Sequence, residues 1–245
     1  MWRSSSSPDN RIGPKFLNAG PGYGGSCFPK DTLALVKTAR DHDSPLSLVE
    51  TTVSVNDNRK RAMGRKVIAA CGGSVRDRKI AILGLTFKPN TDDMRDSPAL
   101  ALISVLQQAG ASVRVYDPQG MDNAAGFLTG VAFTRDGYEC VAGAHCAVLA
   151  TEWAEFRQLD LARVAARLAA PVFVDLRNAI DPAALAKAGL AASGIGYPVS
   201  SLIATREKLE QAGAPGRPAP LRPAAAARAD AERERLPSAD HATLH

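Results

Sequence analysis

Long apolar runs are absent from this sequence, and cysteine is scarce. Its 245 residues include four cysteines, at positions 27, 71, 140 and 146. They form neither the dense pattern of a disulfide-rich secreted domain nor the spacing of metal ligands, so a reducing compartment fits best. No apolar run is long enough to span a bilayer, and residues 1–8 lack the apolar core of a secretory signal. We therefore expect a cytoplasmic protein with neither a metal site nor a membrane partner.

A strong charge of one sign is missing as well. The net charge is +5 at neutral pH, and residues 206–245 carry seven basic and six acidic side chains. Such a balanced segment is not typical of a nucleic-acid-binding arm. Its prolines lie among alanine and arginine without apolar periodicity, which predicts a disordered tail over residues 205–245. A disordered leader is expected over residues 1–10.

Glycine is concentrated in one stretch, residues 18–31, which reads Asn-Ala-Gly-Pro-Gly-Tyr-Gly-Gly-Ser-Cys-Phe-Pro-Lys-Asp. Glycine lets a bound group approach main-chain N–H groups closely, because no Cβ intervenes. Cys27 follows the glycines. Lys30 and Asp31 fall in the first turn of a helix that Pro29 introduces, where the positive helix end favours a thiolate. A nucleophilic thiol and a buried, inert cysteine fit this spacing about equally well.

The string G-x-G-x-G-G within this stretch also resembles a dinucleotide-binding fingerprint. That fingerprint follows a strand and opens a βαβ unit. The segment upstream of the glycines is short and polar, so we reject a Rossmann turn here.

Two helices are expected after the glycines. The first covers residues 31–41, with Leu33, Leu35 and Val36 facing inward. The second covers residues 45–71, because apolar side chains recur there near the helical period.

Local signals predict how the second helix starts, ends and faces solvent. Ser44 should cap it, with Pro45 at its first position. Residues 56–61 form a polar interruption on its exposed face, and Gly72 and Gly73 should end it.

The remaining chain alternates apolar strands with helices. Strands are expected at residues 79–85, 113–116, 146–150 and 172–174, with an edge strand at 194–197; helices are expected at 98–109, 138–142, 161–168 and 182–188. Such alternation predicts an α/β fold with a doubly wound, Rossmann-like parallel sheet after the long helix. Ligands of such sheets bind beyond the carboxyl ends of the strands, where Thr86–Pro98 follows the first strand. Asp117, after the second strand, is expected to be structural, and Trp153 to pack.

Residues 11–31, Arg-Ile-Gly-Pro-Lys-Phe-Leu followed by the glycine-rich stretch, closely resemble the active-site segment of the UDP-glucose 6-dehydrogenases. These enzymes belong to a wider family that oxidises nucleotide sugars, and the resemblance extends from about Arg11 to about Ser200. It implies that Cys27 attacks the C6 aldehyde of the sugar, that a hydride leaves for NAD, and that water releases the acid from a thioester. It also implies that Asp31 helps to orient that water.

The resemblance implies further site residues. In this family the arginine that matches Arg11 reaches the substrate of the partner subunit in a dimer that the central helix builds. The substrate-binding residues it implies are Arg11, Asn18, Ala19, Gly20, Pro21, Gly22, Tyr23, Gly24, Phe87, Lys88 and Arg177. The residues it implies at the cofactor are Cys27, Lys30 and Arg95. Phe87 offers a face for a base, and the cations suit phosphate or sugar oxygens.

In this family the NAD-binding domain lies upstream of the cysteine segment, and these 245 residues have no room for it. We therefore expect three parts: active-site loop and dimerisation helices over residues 11–75, a UDP-sugar-binding α/β domain over 76–204, and the tail. The chain alone should not oxidise UDP-glucose, and an N-terminal NAD-binding partner chain is one way to complete it.

Two other functions stay open at this point. One is an inert module that binds a UDP-sugar and dimerises. The other is a dehydrogenase of GDP-mannose or of a UDP-N-acetyl-sugar. The Ser-Cys-Phe-Pro-Lys-Asp segment favours UDP-glucose, because the N-acetyl-sugar enzymes resemble a His-Cys form.

Overall fold

The computed structural model describes residues 18–196. Arg11, the expected leader and the expected tail lie outside the described residues. Within residues 18–196, no helix is both long and apolar enough to cross a lipid bilayer.

A six-stranded parallel sheet forms the centre of the fold, with strand order β3-β2-β1-β4-β5-β6. The strands are β1 Lys79–Leu83, β2 Ser112–Tyr116, β3 Val131–Phe133, β4 Cys146–Leu149, β5 Val172–Asp175 and β6 Ala191–Gly194. Strand β1 pairs with β2 on one side and with β4 on the other, so the winding reverses at β1. The predicted α/β fold with a parallel sheet is confirmed, and its reversal point marks the usual ligand-binding edge.

Helices cover both faces of the sheet. They are α1 Cys27–Asp41, α2 Ser47–Ala70, α3 Pro98–Gln108, α4 Met121–Ala124, α5 Gly137–Val141, α6 Ala154–Arg157, α7 Leu161–Arg167 and α8 Pro182–Lys187. One apolar layer joins α2 and α3 to the sheet through residues such as Val67, Ile82 and Leu106. The other joins α5 and α7 to it through Val164 and Phe173. Two-sided burial explains why the central strands β1, β4 and β5 are almost continuously apolar.

The expected first helix was wrong in its start and in part of its inner face. Helix α1 begins at Cys27, four residues earlier than expected, which places the thiol in its first turn. Val36 is buried as expected, but Leu33 and Leu35 are 54% and 49% exposed. Among residues 18–196, only a narrow face of α1 is packed, so two apolar side chains near that face are exposed there.

The expected start of the second helix was also wrong. Helix α2 begins at Ser47, with Leu46 at its N-cap. The backbone N–H of Ser44 donates to Ala39 O at 2.9 Å, so Ser44 closes α1 and does not cap α2. At the other end, Gly72 and its neighbour adopt φ of 84° and 89°, and the helix ends there as expected.

Inside α2, the polar run at residues 56–61 is not uniformly exposed. Asn56 and Lys60 are each only 6% exposed. Both lie on the face of the helix that also buries Met63 and Val67, so this face continues toward the glycine-rich loop.

Two strands at the edges of the sheet differ from expectation. The edge strand lies at Ala191–Gly194, three residues before the expected position. Its Ala-Ala-Ser-Gly sequence is poor in the residues that favour strands. Strand β3 was not predicted, because it has three residues and only one of them, Val131, is even partly buried.

Candidate active site

The glycine-rich loop, residues 20–25, packs on the segment that follows β1. The backbone N–H of Gly25 donates to Arg95 O at 2.8 Å. A Cβ on Gly24 would lie 2.4 Å from Asp96 O, and one on Gly25 would lie 2.9 Å from the Phe87 ring. Only glycine lets the loop backbone approach the Asp96 carbonyl and the Phe87 ring this closely, so these glycines dock the loop at the carboxyl edge of the sheet.

Cys27 lies at the end of this loop, at the first position of α1. Its thiol is exposed, and Ser26 Oγ lies 3.7 Å from its Sγ. Free backbone N–H groups and the positive end of the helix dipole favour an anion at this position. Cys27 is therefore not a buried cysteine, and its role as a nucleophile stays a prediction.

An open cleft with a volume of about 680 Å³ adjoins this thiol. Its lining consists of Gly25, Ser26, Cys27, Lys30, Arg95, Asp96 and Phe127. Two cations and one aromatic ring therefore surround a thiol. Phe127 was missed from the sequence, because it lies in a short connection after α4 with no motif to mark it.

Lys30 and Asp31 form an ion pair in the first turn of α1. Lys30 Nζ lies 3.0 Å from Asp31 Oδ1, and both side chains are exposed. The hydrogen bond to Asp31 raises the pKa of Lys30. Lys30 lines the cleft beside Cys27, and Asp31 stands next to it as the partner of its charge.

Arg95 enters the same cleft and is held by a neighbouring carboxylate. Its Nε and Nη2 donate to Asp93 Oδ1 and Oδ2, each at 2.9 Å. This fork lowers the pKa of Asp93. The guanidinium is exposed on its other side, where it faces the cleft.

Arg177, in the segment after β5, lies against the beginning of the glycine-rich loop. It is largely buried, and its Nε and Nη2 donate to Ala150 O at 2.8 Å and to Phe87 O at 2.9 Å. Burial lowers the pKa of Arg177, while a carboxylate nearby opposes that change. A Cβ on Gly20 would lie 3.2 Å from Nη1, so this nitrogen faces the glycine-rich loop.

The carboxylate beside Arg177 is that of Glu152, to which the sequence assigned no role. Glu152 Oε2 lies 3.1 Å from Arg177 Nε. That oxygen has no hydrogen-bond partner within the described structure, because Nε is directed at Ala150 O. The pair is therefore a buried contact of opposite charges.

The other expected substrate residues also gather at this edge. Phe87 is half-buried beneath Gly25, and Lys88 Nζ lies 5.3 Å from the centre of its ring. Within the loop, Pro21 is buried and Tyr23 contacts Phe28 edge-on at 4.5 Å between ring centres. Of the remaining expected substrate residues, Ala19 and Gly22 are half-buried and Asn18 is exposed.

Asp117 fixes the segment that carries Phe87. Its carboxylate is 1% exposed and accepts six hydrogen bonds. The donors are the backbone N–H groups of Leu85, Thr86, Gln119 and Gly120, the Thr86 hydroxyl and the Trp153 indole. No lone pair is left over for a ribose, so this acid ties β1, β2 and β4 together.

Two parts of the chain match models of one protein family. Residues 81–182 match the UDP binding domain of the UDP-glucose/GDP-mannose dehydrogenase family, and residues 3–58 match its central domain. The chain belongs to the UDP-glucose/GDP-mannose dehydrogenase family.

Relatives within this family resemble the chain over most of its described length. A UDP-glucose 6-dehydrogenase of Rhizobium meliloti is 63% identical over 190 residues, which is 78% of this chain and 44% of the relative. A UDP-glucose dehydrogenase structure from Pyrobaculum islandicum is 32% identical with a TM-score of 0.60, over 69% of this chain and 38% of that one. An NDP-N-acetyl-D-galactosaminuronic acid dehydrogenase from Methanosarcina mazei has a TM-score of 0.66 at 28% identity, over 77% and 41%. The chain spans less than half the length of these relatives.

The exposure of Cys27 leads to a first prediction. Iodoacetamide near neutral pH should alkylate Cys27 at least about a hundredfold faster than the other three cysteines, which are fully buried. Burial also raises the pKa of the Cys140 thiol to about 12. Mass spectrometry of the intact chain should show one adduct, and Cys27→Ser should show none under the same conditions. Equal labelling of all four thiols would contradict the structure.

Proposed function

We propose that this chain forms the nucleophile-bearing and UDP-sugar-binding part of an NAD-dependent UDP-glucose 6-dehydrogenase. One observation carries the proposal: an exposed thiol at a helix start follows a glycine-rich loop that packs against both Arg177 and Phe87. Such an arrangement pairs a nucleophile with cations and open main-chain groups. The similarity to the Rhizobium meliloti enzyme supports UDP-glucose over the other nucleotide sugars.

The loop and its neighbours suit the parts of a UDP-sugar. We propose that Lys88, Arg177 and Arg11 bind the pyrophosphate or sugar oxygens, because cations form strong, charge-assisted bonds with such groups. Within residues 18–24, main-chain N–H groups are available for the sugar except at Pro21, which has none, and at Tyr23, whose N–H is donated to Asn56 Oδ1. Phe87 contributes an apolar face at the same edge of the sheet.

The cleft beside Cys27 fits NAD in its chemistry. Lys30 and Arg95 offer positive charge to a pyrophosphate, and Phe127 offers an apolar surface to a planar ring. NAD, when bound, accepts the hydride that leaves the sugar carbon. We propose Lys30, Arg95 and the neighbourhood of Cys27 as this chain's contribution to the cofactor site.

Cys27 performs the covalent step in this proposal. The C6 alcohol would first lose a hydride to NAD and its hydroxyl proton to solvent, which gives the aldehyde. The Cys27 thiolate then adds to the aldehyde carbon, and loss of a second hydride from that carbon to NAD would leave it attached to Sγ as a thioester. Water then adds to that carbon, the C–S bond breaks, and the carboxylate and the thiolate separate. Asp31, next to Lys30 in the same helical turn, is proposed to orient the water.

Further parts of the proposal concern assembly. We propose a homodimer built on α2, because Leu48 and Val55 on this helix are 85% and 59% exposed. The family's NAD-binding domain, on the same or on another polypeptide, would complete the site in a cytoplasmic enzyme. Sedimentation of the purified 245 residues tests the dimer, and the absorbance of NADH tests whether these residues alone oxidise UDP-glucose.

Calorimetric titration tests the binding function directly. We expect the chain to bind UDP and UDP-glucose, and to bind GDP-mannose more weakly. Lys88→Ala should weaken UDP-glucose binding about tenfold, because it removes one charge-assisted contact. Lys37→Ala is the matched control: Lys37 is as exposed but pairs with Asp41 at the far end of α1.

Each outcome of this titration decides between functions. Failure to bind either UDP or UDP-glucose would overturn the proposed function. Equal binding of GDP-mannose would remove the case for UDP-glucose in particular. Equal losses for both lysine variants would show that Lys88 acts only through net charge.

A further inference from the structure

Three polar residues of α2, Asn56, Arg59 and Lys60, contact the glycine-rich loop from the side opposite the sheet. We propose that Asn56 and Arg59 are positioning residues of the Cys27 site, which fix the shape of residues 20–25 before any ligand binds. Lys60 assists them. The inference rests on the proposed function only for its effect on UDP-glucose affinity, because the order of the loop is measurable without a ligand.

The side-chain amide of Asn56 forms two hydrogen bonds with the backbone of Tyr23. Its Oδ1 accepts from the Tyr23 N–H at 2.8 Å, and its Nδ2 donates to Tyr23 O at 3.2 Å. The side chain is 6% exposed, so these bonds are shielded from water. A Cβ on Gly22 would lie 2.8 Å from Oδ1. The loop backbone therefore approaches Asn56 as closely as glycine allows, which is typical of a fixed contact.

Arg59 holds the beginning of the loop. Its Nε and Nη2 donate to Gly20 O at 2.9 and 2.7 Å. On the other side, Arg177 Nη1 faces the same glycine. Gly20 thus lies between two guanidinium groups, one from α2 and one from the segment after β5, and its carbonyl cannot rotate without losing two charge-assisted bonds.

Lys60 contacts both the loop and the segment after β1. Its side chain is 8% exposed, with Nζ 3.8 Å from Asp96 Oδ1 and 5.9 Å from the centre of the Tyr23 ring. Asp96 is also the residue whose carbonyl Gly24 approaches. Helix α2 and the segment after β1 therefore hold the loop together.

The consequence concerns the cost of binding. A flexible glycine-rich loop loses conformational entropy when it closes on a ligand, about 1–2 kcal/mol for each residue that becomes ordered. A loop that is already held avoids most of this loss, so its main-chain N–H groups and Cys27 stand ready in one arrangement. Removal of the contacts that Asn56 and Arg59 make with the loop should therefore weaken UDP-glucose binding, even though these side chains need not contact the ligand.

The experiment compares neighbours of the same type on one helix. Asn56→Ala is paired with Asn58→Ala, and Arg59→Met with Arg61→Met, since Asn58 and Arg61 are exposed residues of α2. Hydrogen exchange of the loop peptide, calorimetry with UDP-glucose and thermal unfolding are measured for each. Arg59→Lys serves as the conservative variant, because a lysine can replace one of the two bonds to Gly20 O.

We expect Asn56→Ala to raise exchange of the Tyr23 amide and to weaken UDP-glucose binding, each by about tenfold or more. Arg59→Met should weaken binding by about tenfold, and Arg59→Lys should restore part of it. The two control variants should stay within about twofold of wild type. Should Asn56→Ala fail to fold, the arginine pair decides, because Arg59 is exposed and its truncation leaves no core cavity.

Two results would overturn the inference. One is equal loop exchange in the test and control variants. The other is weakened binding that follows thermal stability alone, with no rescue by Arg59→Lys. If the wild type binds no UDP-glucose but Asn56→Ala still frees the loop, the positioning role stands and the proposed function fails.

Discussion

Asp117→Ala should lower the free energy of unfolding by about 4–5 kcal/mol. The substitution leaves donors from three strand ends without their acceptor in a site that is 1% exposed. Each unpaired buried donor costs about 1–3 kcal/mol, and water that enters the cavity recovers part of this. Domains are stable by only about 5–15 kcal/mol, so the loss is at least about a third of the total. Urea unfolding followed by circular dichroism measures it.

Two comparisons make this prediction specific. Asp117→Asn should lose less stability than Asp117→Ala, because the amide oxygen still accepts hydrogen bonds. Some loss remains, because the NH₂ group faces donors that the second carboxylate oxygen used to accept from. Asp122→Ala is the matched control, since this aspartate is exposed in the first turn of α4 and should change stability by less than about 1 kcal/mol. A loss of under 1 kcal/mol in Asp117→Ala would contradict the structural role.

The same residue shows how far sequence reasoning reaches. A Tyr-Asp-Pro sequence after a strand, in a sheet without a G-x-G-x-x-G turn, indicated that Asp117 is structural. The indole of Trp153, which donates to it from 36 residues away, could not be predicted. Local sequence predicts which groups need partners, but the topology of the sheet decides which distant groups supply them.

The glycine-rich loop also combines features that local sequence predicts with distant partners that it does not. Its glycines, its cysteine and the helix behind it are adjacent in the chain, so their roles could be predicted together. Asn56 and Arg59, which hydrogen-bond the loop, lie in a polar run of helix α2. They could not be predicted as its partners, because polar residues of a helix are usually exposed. A polar residue that continues the buried face of a helix was the signal available here, since Asn56, Lys60, Met63 and Val67 recur at helical spacing.

Arg177→Met should weaken UDP-glucose binding by at least about a hundredfold and lower the free energy of unfolding by about 3–5 kcal/mol. The stability loss arises because Glu152, 18% exposed, loses its countercharge, while the carbonyls of Phe87 and Ala150 lose their donor. The binding loss arises because no other buried cation faces Gly20 from the sheet within the described structure. Calorimetry and urea unfolding report the two effects separately.

A second substitution separates the two roles of this arginine. In Arg177→Met/Glu152→Gln the unpaired charge is gone, so about half of the lost stability should return, whereas UDP-glucose binding should not. Arg163→Met is the control, because this arginine lies over the Tyr138 ring at 3.9 Å, away from the loop, and its loss should leave binding unchanged. If binding returned together with stability in the double variant, the loss in Arg177→Met would come from the unpaired Glu152 charge, and the ligand contact would have to come from another cation.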